Sequence, residues 1–283
     1  MAAPRPGRAA LWMLGSIAAF IAMAIGGRAA GGQHDTFEIM LWRSVVGLAL
    51  VLGVGVATGG WRQITPRHLP NHLIRNLVHF TGQNLWFWAL TMIPLAQLFA
   101  LEFTAPIWVM ALSPLLLGDR VTQRGLLSGI VGLAGVWMVA QPDFTAIDPG
   151  ILAAAASALA FALTAILTKR LTRIAGVISS LFWLALMQLI LGLAFSLADG
   201  AMHWPTLATA PWLAVVGAAG ILGHLCLTKA LSLAPASVVM PVDFARLPLI
   251  AAVGWAFYGE AVGISLVLGS GLILGANWIN LRR

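Results

Sequence analysis

In 283 residues the chain carries 60% hydrophobic and 9% charged side chains, where soluble domains carry about 25% charged residues; a water-soluble globular fold is excluded and the membrane class indicated. The net charge of +7 does not point to nucleic acid, because the basic residues are scattered over short gaps between apolar segments and form no patch or stripe. The single cysteine, Cys226, rules out an intramolecular disulfide and argues against a cysteine-based metal site.

A helix needs about 20 apolar residues to cross a bilayer. Arg5 and Arg8 precede an apolar run from Ala9 to Gly27 that lacks a small-residue cleavage site, so it is read as the first span, near 9–30, rather than as a signal peptide. Further spans are placed near 37–58, 73–93, 95–117, 125–140, 150–170, 175–198, 210–231, 236–257 and 263–281, ten in all. Gly31-Gly32, Gly59-Gly60, Pro94, Gly118-Asp119, Pro142, Pro149, Pro205, Pro235 and Gly259 fall between spans, where helix breakers belong. The longest polar stretch, Gly59 to Asn71, leaves no room for a soluble domain.

Lys and Arg set the expected orientation. With the N-terminus in the cytoplasm, the inner tails and loops hold Arg5, Arg8, Arg62, Arg67, Arg75, Arg120, Arg124, Lys169, Arg170, Arg173, Lys229, Arg282 and Arg283, thirteen of the sixteen basic residues. The outer side keeps Arg28 with the acids Asp35, Glu38, Asp143, Asp148, Asp199 and Glu260, while Arg43 and Arg246 lie within spans. Both termini are therefore expected in the cytoplasm of a bacterial inner membrane, with the lipid bilayer and a small molecule as partners, and a monomer as the unit.

Shifted by 141 residues, the sequence aligns with itself without a gap. Phe20 meets Phe161, Arg28 meets Lys169, Trp42 meets Trp183, and Pro94 meets Pro235. Glu102-Phe103 meets Asp243-Phe244, and Gly118-Asp119 meets Gly259-Glu260. Apolar matches are cheap in membrane sequences; matched Pro, Trp and acidic positions are not. The expected fold is an all-α polytopic membrane protein with two five-helix repeats, 1–141 and 142–283. Because five is odd, the repeats are inverted, and a substrate site belongs near the midplane between them, around a central cavity.

The polar residues inside spans are the site candidates. Arg43 and Glu102 sit about 10 Å deep at 1.5 Å per residue, where a charge must be paired or face a cavity; they form either a structural ion pair or a contact to a zwitterionic substrate or a proton. Asp243 and Arg246 share a face at i and i+3 and are expected to be partners; a buried carboxylate such as Asp243 can also carry a proton in an antiporter. Gln83 and His224 are repeat mates near mid-span, with His79 one turn before Gln83 and Asn84 beside it. They either bond neighbouring helices or line the cavity. Trp61, Trp204 and Trp212 lie at span ends as interfacial anchors. Trp42 and Trp183, repeat mates beside polar positions, are candidates for contact with an apolar substrate group, against the plainer reading of packing or lipid contact.

The string from Gly82-Gln83-Asn84-Leu85-Trp86-Phe87-Trp88 through Ile93-Pro94-Leu95-Ala96, then Leu101-Glu102-Phe103-Thr104-Ala105-Pro106, then Gly118-Asp119, resembles the EamA-type signature of the drug/metabolite transporter superfamily. Within that family the chain is similar to neutral and aromatic amino-acid exporters of the YddG type. The resemblance implies a basket-shaped bundle with a central cavity, and export without ATP or any cofactor. It departs in the second repeat, where Ala245-Arg246-Leu247-Pro248 replaces Thr104-Ala105-Pro106-Ile107, and in having one tyrosine, Tyr258. The serious alternative is a transporter of nucleosides, cationic drugs or other metabolites. An intramembrane enzyme built on Gly269-Ser270-Gly271 and His224 is a remote one, and no Walker A motif supports ATP-driven pumping.

Overall fold

The structure, a computed structural model, describes residues 6–118, 123–141, 148–171, 174–198, 200, 202–233, 242–243 and 245–281. Within them every regular element is helical: α1 Pro6–Ala30, α2 Thr36–Ala57, α3 Leu69–Met92, α4 Leu95–Glu102, α5 Ala105–Leu117, α6 Gln123–Ala140, α7 Pro149–Leu171, α8 Val177–Ala198, α9 Ala210–Leu233, α10 Arg246–Tyr258 and α11 Ile264–Leu281, with a short 3-10 turn at Gly60–Gln63. Of the sequence marks, Asp119, Arg120, Pro142, Asp143, Arg173, Asp199, Pro235, Phe244 and the terminal Arg5, Arg282 and Arg283 lie outside the described residues.

Local chemistry explains where the helices start and stop. Asp35 caps α2: its Oδ1 accepts from the N–H groups of Phe37 and Glu38, and Glu38 Oε2 accepts from the Asp35 N–H at 3.2 Å, a complete capping box. Pro94 forces Ile93 into an extended conformation (φ −121°, ψ 160°), which ends α3. The span expected at 95–117 is broken into α4 and α5 at Phe103-Thr104. Pro106 has no N–H to give the Glu102 carbonyl, and Thr104 Oγ1 turns back to the Leu101 carbonyl at 2.7 Å. Gly259, at φ +65°, lets the Glu260 N–H close on the Gly254 carbonyl at 3.1 Å and stops α10.

Among the described residues six segments are long and apolar enough to cross a membrane: Gly7–Ala30, Thr36–Ala57, Leu95–Leu112, Pro149–Leu171, Ile178–Ala198 and Ala210–Leu227. Helix α3 is long enough, at 24 residues, but is interrupted by His72, Arg75, Asn76, His79, Gln83 and Asn84. Adding 141 to the bounds of α2, α3, α5 and α6 gives the bounds of α8, α9, α10 and α11. Helix α1 packs along α9, α3 along α7, α2 along α8 and α6 along α11. Two of these seams are held by glycine against phenylalanine. A Cβ at Gly223 on α9 would meet the Phe20 ring of α1 at 2.7 Å, and one at Gly82 on α3 would meet the Phe161 ring of α7 at 3.1 Å. Small residues allow such close approach between helices.

At the end of the bundle where α1 finishes, Arg28 ties four elements together. Its Nε donates to the Leu90 carbonyl at 2.9 Å, Nη2 donates to the Ile93 carbonyl, and Nη1 pairs with Glu260. Glu260 in turn accepts from the Leu95 N–H at the start of α4 (2.9 Å to Oε2). At the same end His34, in the α1–α2 turn, meets Thr209 just before α9 at 3.0 Å. The opposite end brings the chain before α3 to α8, where Trp183 Nε1 donates to the Thr65 carbonyl at 2.9 Å.

Candidate functional site

The polar interruptions of α3 fall at one helical spacing. His72, Arg75, Asn76, His79 and Gln83 are all buried, on the face turned into the bundle. At 1.5 Å per residue His79 and Gln83 lie about 15 and 21 Å from the start of a helix some 36 Å long, which puts them around its middle. His79 is 3% exposed and neither ring nitrogen has a hydrogen-bond partner; Gln83 is 4% exposed with Oε1 unpartnered. Asn84 gives Nδ2 to the Phe80 carbonyl at 2.8 Å and leaves Oδ1 bare.

Helix α9 brings His224 against this face. Its ring lies 6.1 Å, centroid to centroid, from His79 and 5.4 Å from Phe20, while His79 lies 6.1 Å from Phe161. The histidine pair is thus flanked by Phe20 and Phe161, one from each expected repeat. Gln83 and His224 are repeat mates, yet the ring that faces His224 is that of His79. The reason is depth. Both mates lie about 21 Å into antiparallel helices, on either side of the middle, so a partner one turn earlier on α3 comes level with His224.

Arg43 of α2 reaches the same place. It is 6% exposed, and its guanidinium occupies the space beside Gly220, where a Cβ would meet Nε at 2.9 Å and Nη2 at 3.0 Å. Gly220 is one turn from His224 on α9, and Arg75 is one turn from His79 on α3. Arg43 has no ion pair or hydrogen bond with a described residue, and its Nε is buried without a partner. The ion pair expected between Arg43 and Glu102 is not formed. Glu102 instead pairs with Arg246 at 3.1 Å and accepts from Trp86 Nε1 at 2.9 Å, because α10, not α2, packs on α4.

Arg246 also holds Asp243 at 3.1 Å, as their i, i+3 spacing anticipated. Its guanidinium lies 5.1–5.3 Å from the ring centroids of Phe20, Phe99 and Phe103, in cation–π range. Asp243, the candidate proton carrier, keeps Oδ1 buried and without a partner.

Trp42 and Trp183 do not meet at the histidine pair. Trp42 packs on Trp204 at 5.6 Å near one end of the bundle, and Trp183 lies 6.2 Å from His72 and bonds Thr65 near the other. Each is about 9 Å into its helix, from opposite ends. Trp61, Trp204 and Trp212 are exposed, as interfacial anchors are. Two features escaped the sequence reading. Arg75, counted among the basic residues of the inner side, lies inside α3, is 7% exposed, and donates Nε to Thr168 Oγ1 at 2.7 Å; its place on the stripe 72–75–79–83 was the available signal. Glu38, counted among the acids of the outer side, is fully buried, with His34 Nδ1 and His203 Nδ1 each 3.1 Å from it. This group borders a cavity of about 830 Å³ lined by Gly31–Asp35, Met202, His203, Trp204 and Thr206. Among the described residues no group of three or more His, Cys, Asp or Glu is placed to hold a metal ion.

Comparison with known proteins follows the same lines. A riboflavin transporter of Brucella anthropi is 29% identical over 96% of this chain and 97% of its own. A riboflavin transporter of Rhizobium johnstonii is 31% identical over 76% of this chain and 71% of its own. An S-adenosylmethionine uptake transporter of Rickettsia bellii is 24% identical over 94% and 90%. These names are of uptake and vitamin transport, and the expected subgroup of amino-acid exporters finds no support in them. A crystal structure of another protein superposes with a TM-score of 0.71 over 96% of each chain at 19% identity, which shows a shared fold. The EamA-like transporter family matches twice, over residues 7–141 and 148–282, and together these cover nearly the whole sequence. The chain belongs to the EamA-like transporter family, whose members are membrane transporters of small molecules.

Proposed function

We propose that the protein is a secondary transporter that brings a small heteroaromatic metabolite into a bacterial cell by alternating access. Ten spans form two inverted five-helix repeats, 1–141 and 142–283, with both termini in the cytoplasm. The substrate sits among Arg43, His79, Gln83, Asn84 and His224, with Phe20 and Phe161 against its flat faces.

The observation that carries this reading is the set of buried, unpartnered polar atoms at the centre: both nitrogens of His79, Gln83 Oε1, Asn84 Oδ1 and Arg43 Nε. Leaving such atoms bare costs about 1–3 kcal/mol each, a burden that a bound polar molecule relieves. The recurrence of helix bounds at an offset of 141 and the matching glycine–phenylalanine seams support the repeat. The relatives named for riboflavin and S-adenosylmethionine support an aromatic, heterocyclic substrate and the inward direction. Neutral and aromatic amino acids, the substrates implied by the sequence resemblance, are the comparison class.

The test is uptake by purified protein in liposomes, with riboflavin, S-adenosylmethionine, a nucleoside, tryptophan and methionine as labelled substrates. Saturable uptake of a heterocycle, reduced by His79→Leu, is the expected result. Movement of the amino acids alone would overturn the substrate class, and movement of none would overturn the heterocycle reading.

A further inference from the structure

Four arginines lie within the described bundle, Arg28, Arg43, Arg75 and Arg246, and they divide into two kinds. Arg28 is paired with Glu260, and Arg246 with both Glu102 and Asp243. Arg43 and Arg75 have no carboxylate of a described residue within ion-pair distance. Both are more than nine-tenths buried, and each leaves a guanidinium nitrogen, Arg43 Nε and Arg75 Nη1, without a partner. A charge held in a low-dielectric interior without a counter-charge is strongly disfavoured. The chain can supply counter-charges where it needs them, since three acids serve Arg28 and Arg246. Among the described residues none serves Arg43 or Arg75, and an anion brought by a ligand would complete both.

We infer that the central site binds an oxyanion: a phosphate or carboxylate group of the transported molecule, held by the Arg43 guanidinium with Arg75 supporting it. This rests on the proposed function, in which the same cluster is the substrate site. The guanidinium fork matches two oxygens of a carboxylate or phosphate at once. Arg43 sits beside Gly220, one turn from His224, and Arg75 lies one turn before His79, whose ring is 6.1 Å from that of His224. Arg75 is anchored through Nε to Thr168 Oγ1, which leaves its other nitrogens for a ligand. The substrate is therefore amphiphilic, with a flat ring between Phe20 and Phe161 and an acidic group toward Arg43.

The inference is tested on the full-length protein in detergent, by its melting temperature in inorganic phosphate, acetate and chloride at matched ionic strength. Phosphate or acetate is expected to stabilise wild type saturably over chloride. Which of the two does so identifies the acidic group. Arg43→Gln is expected to raise the half-saturating concentration about tenfold, the loss of one charge-assisted contact, while Arg62→Gln, in the exposed turn after α2, leaves it unchanged. Equal melting in all three anions, or equal anion response in wild type and Arg43→Gln, would overturn it. If Arg43→Gln does not fold, Arg75→Gln serves in its place, and the wild-type comparison stands alone. Transport of neutral riboflavin with no anion response removes this inference and leaves the proposed function. An Arg43-dependent response with no heterocycle transported does the reverse.

Discussion

Two glycines offer a direct test of how the centre is built. Gly82 and Gly223 occupy corresponding places in α3 and α9, and each receives a phenylalanine from the other half. Alanine at either position gains helix propensity, about 0.8–1.0 kcal/mol, and adds a methyl to a tight seam, which costs about 1–3 kcal/mol. The neighbours decide the balance. At Gly223 the three atoms nearest the new Cβ all belong to the Phe20 ring, at 2.7–3.1 Å. That ring is half-buried and can swing toward the centre, so the cost falls at the low end and the net change in stability is about zero. At Gly82 the nearest atom is the Ala160 Cβ, at 2.9 Å. That atom is fixed to the α7 backbone, so the two helices must part, and the net loss is about 2 kcal/mol. The assays are unfolding in detergent followed by tryptophan fluorescence, and liposome uptake per folded molecule. Gly223→Ala is expected to keep its stability and lose transport, because Phe20 moves into the space before His224; Gly82→Ala is expected to lose stability. A Gly82→Ala protein as stable as wild type would refute the packing account, and normal uptake by Gly223→Ala would place the substrate path away from Phe20.

Arg246→Leu strands Glu102 and Asp243 together, which is expected to cost about 3–5 kcal/mol and to lower the yield of monodisperse protein; Glu102→Gln with Asp243→Asn in the same chain should restore much of it, and a well-folded single variant would sink the ion-triad account. Glu260→Gln removes the charge from the Arg28 tie while keeping an acceptor for the Leu95 N–H, so a loss of about 1–3 kcal/mol is expected in detergent unfolding, with Glu260→Asp retaining more than Gln. His79→Leu removes one hydrogen-bonding group from the centre, so uptake should fall about twofold to tenfold with the melting temperature held; uptake equal to wild type per folded molecule would move the site elsewhere.

Much of the framework was legible because it depends on local rules. Apolar length, Gly and Pro punctuation and the 141-residue offset locate most described helix ends to within a few residues, since these signals act over one or two turns; the first part of the span expected at 236–257 lies largely outside the described residues. The break at Phe103-Thr104 was missed, although Pro106 announces it, because the apolar run continues across the gap and hides a lost backbone bond. Partners were harder to read. That Asp243 meets Arg246 followed from i, i+3 spacing on one helix; that Glu102 meets Arg246 rather than Arg43 depends on which helices pack, and hydropathy carries no record of that. The same holds for Trp42 and Trp183, whose equivalence in sequence translates into opposite ends of the bundle. Arg75 was misread because nearness to a loop was taken as membership of it, when its spacing from His72, His79 and Gln83 placed it on the inner face of α3.

In a membrane, the presence of an ionisable residue inside a span says less than whether the chain itself neutralises it. Arg28 is neutralised by Glu260 in the turn after α10, and Arg246 by Glu102 of α4 and by Asp243 three residues before it; each is wrapped in further contacts, carbonyls and the Tyr258 ring around Arg28 and three phenylalanine rings around Arg246. Such closed groups fix one packing, and breaking them costs stability before it costs transport. The central groups are the reverse. Arg43, His79 and Gln83 are as deeply buried and also hold unsatisfied atoms, but where Arg246, despite its bare Nε, has two carboxylates beside it, Arg43 has none from a described residue. A stable protein tolerates that arrangement where something else supplies the partners part of the time, and in the function proposed above that something is the substrate and the water that replaces it. On that proposal the unpaired polar core serves transport, and the paired arginines serve folding.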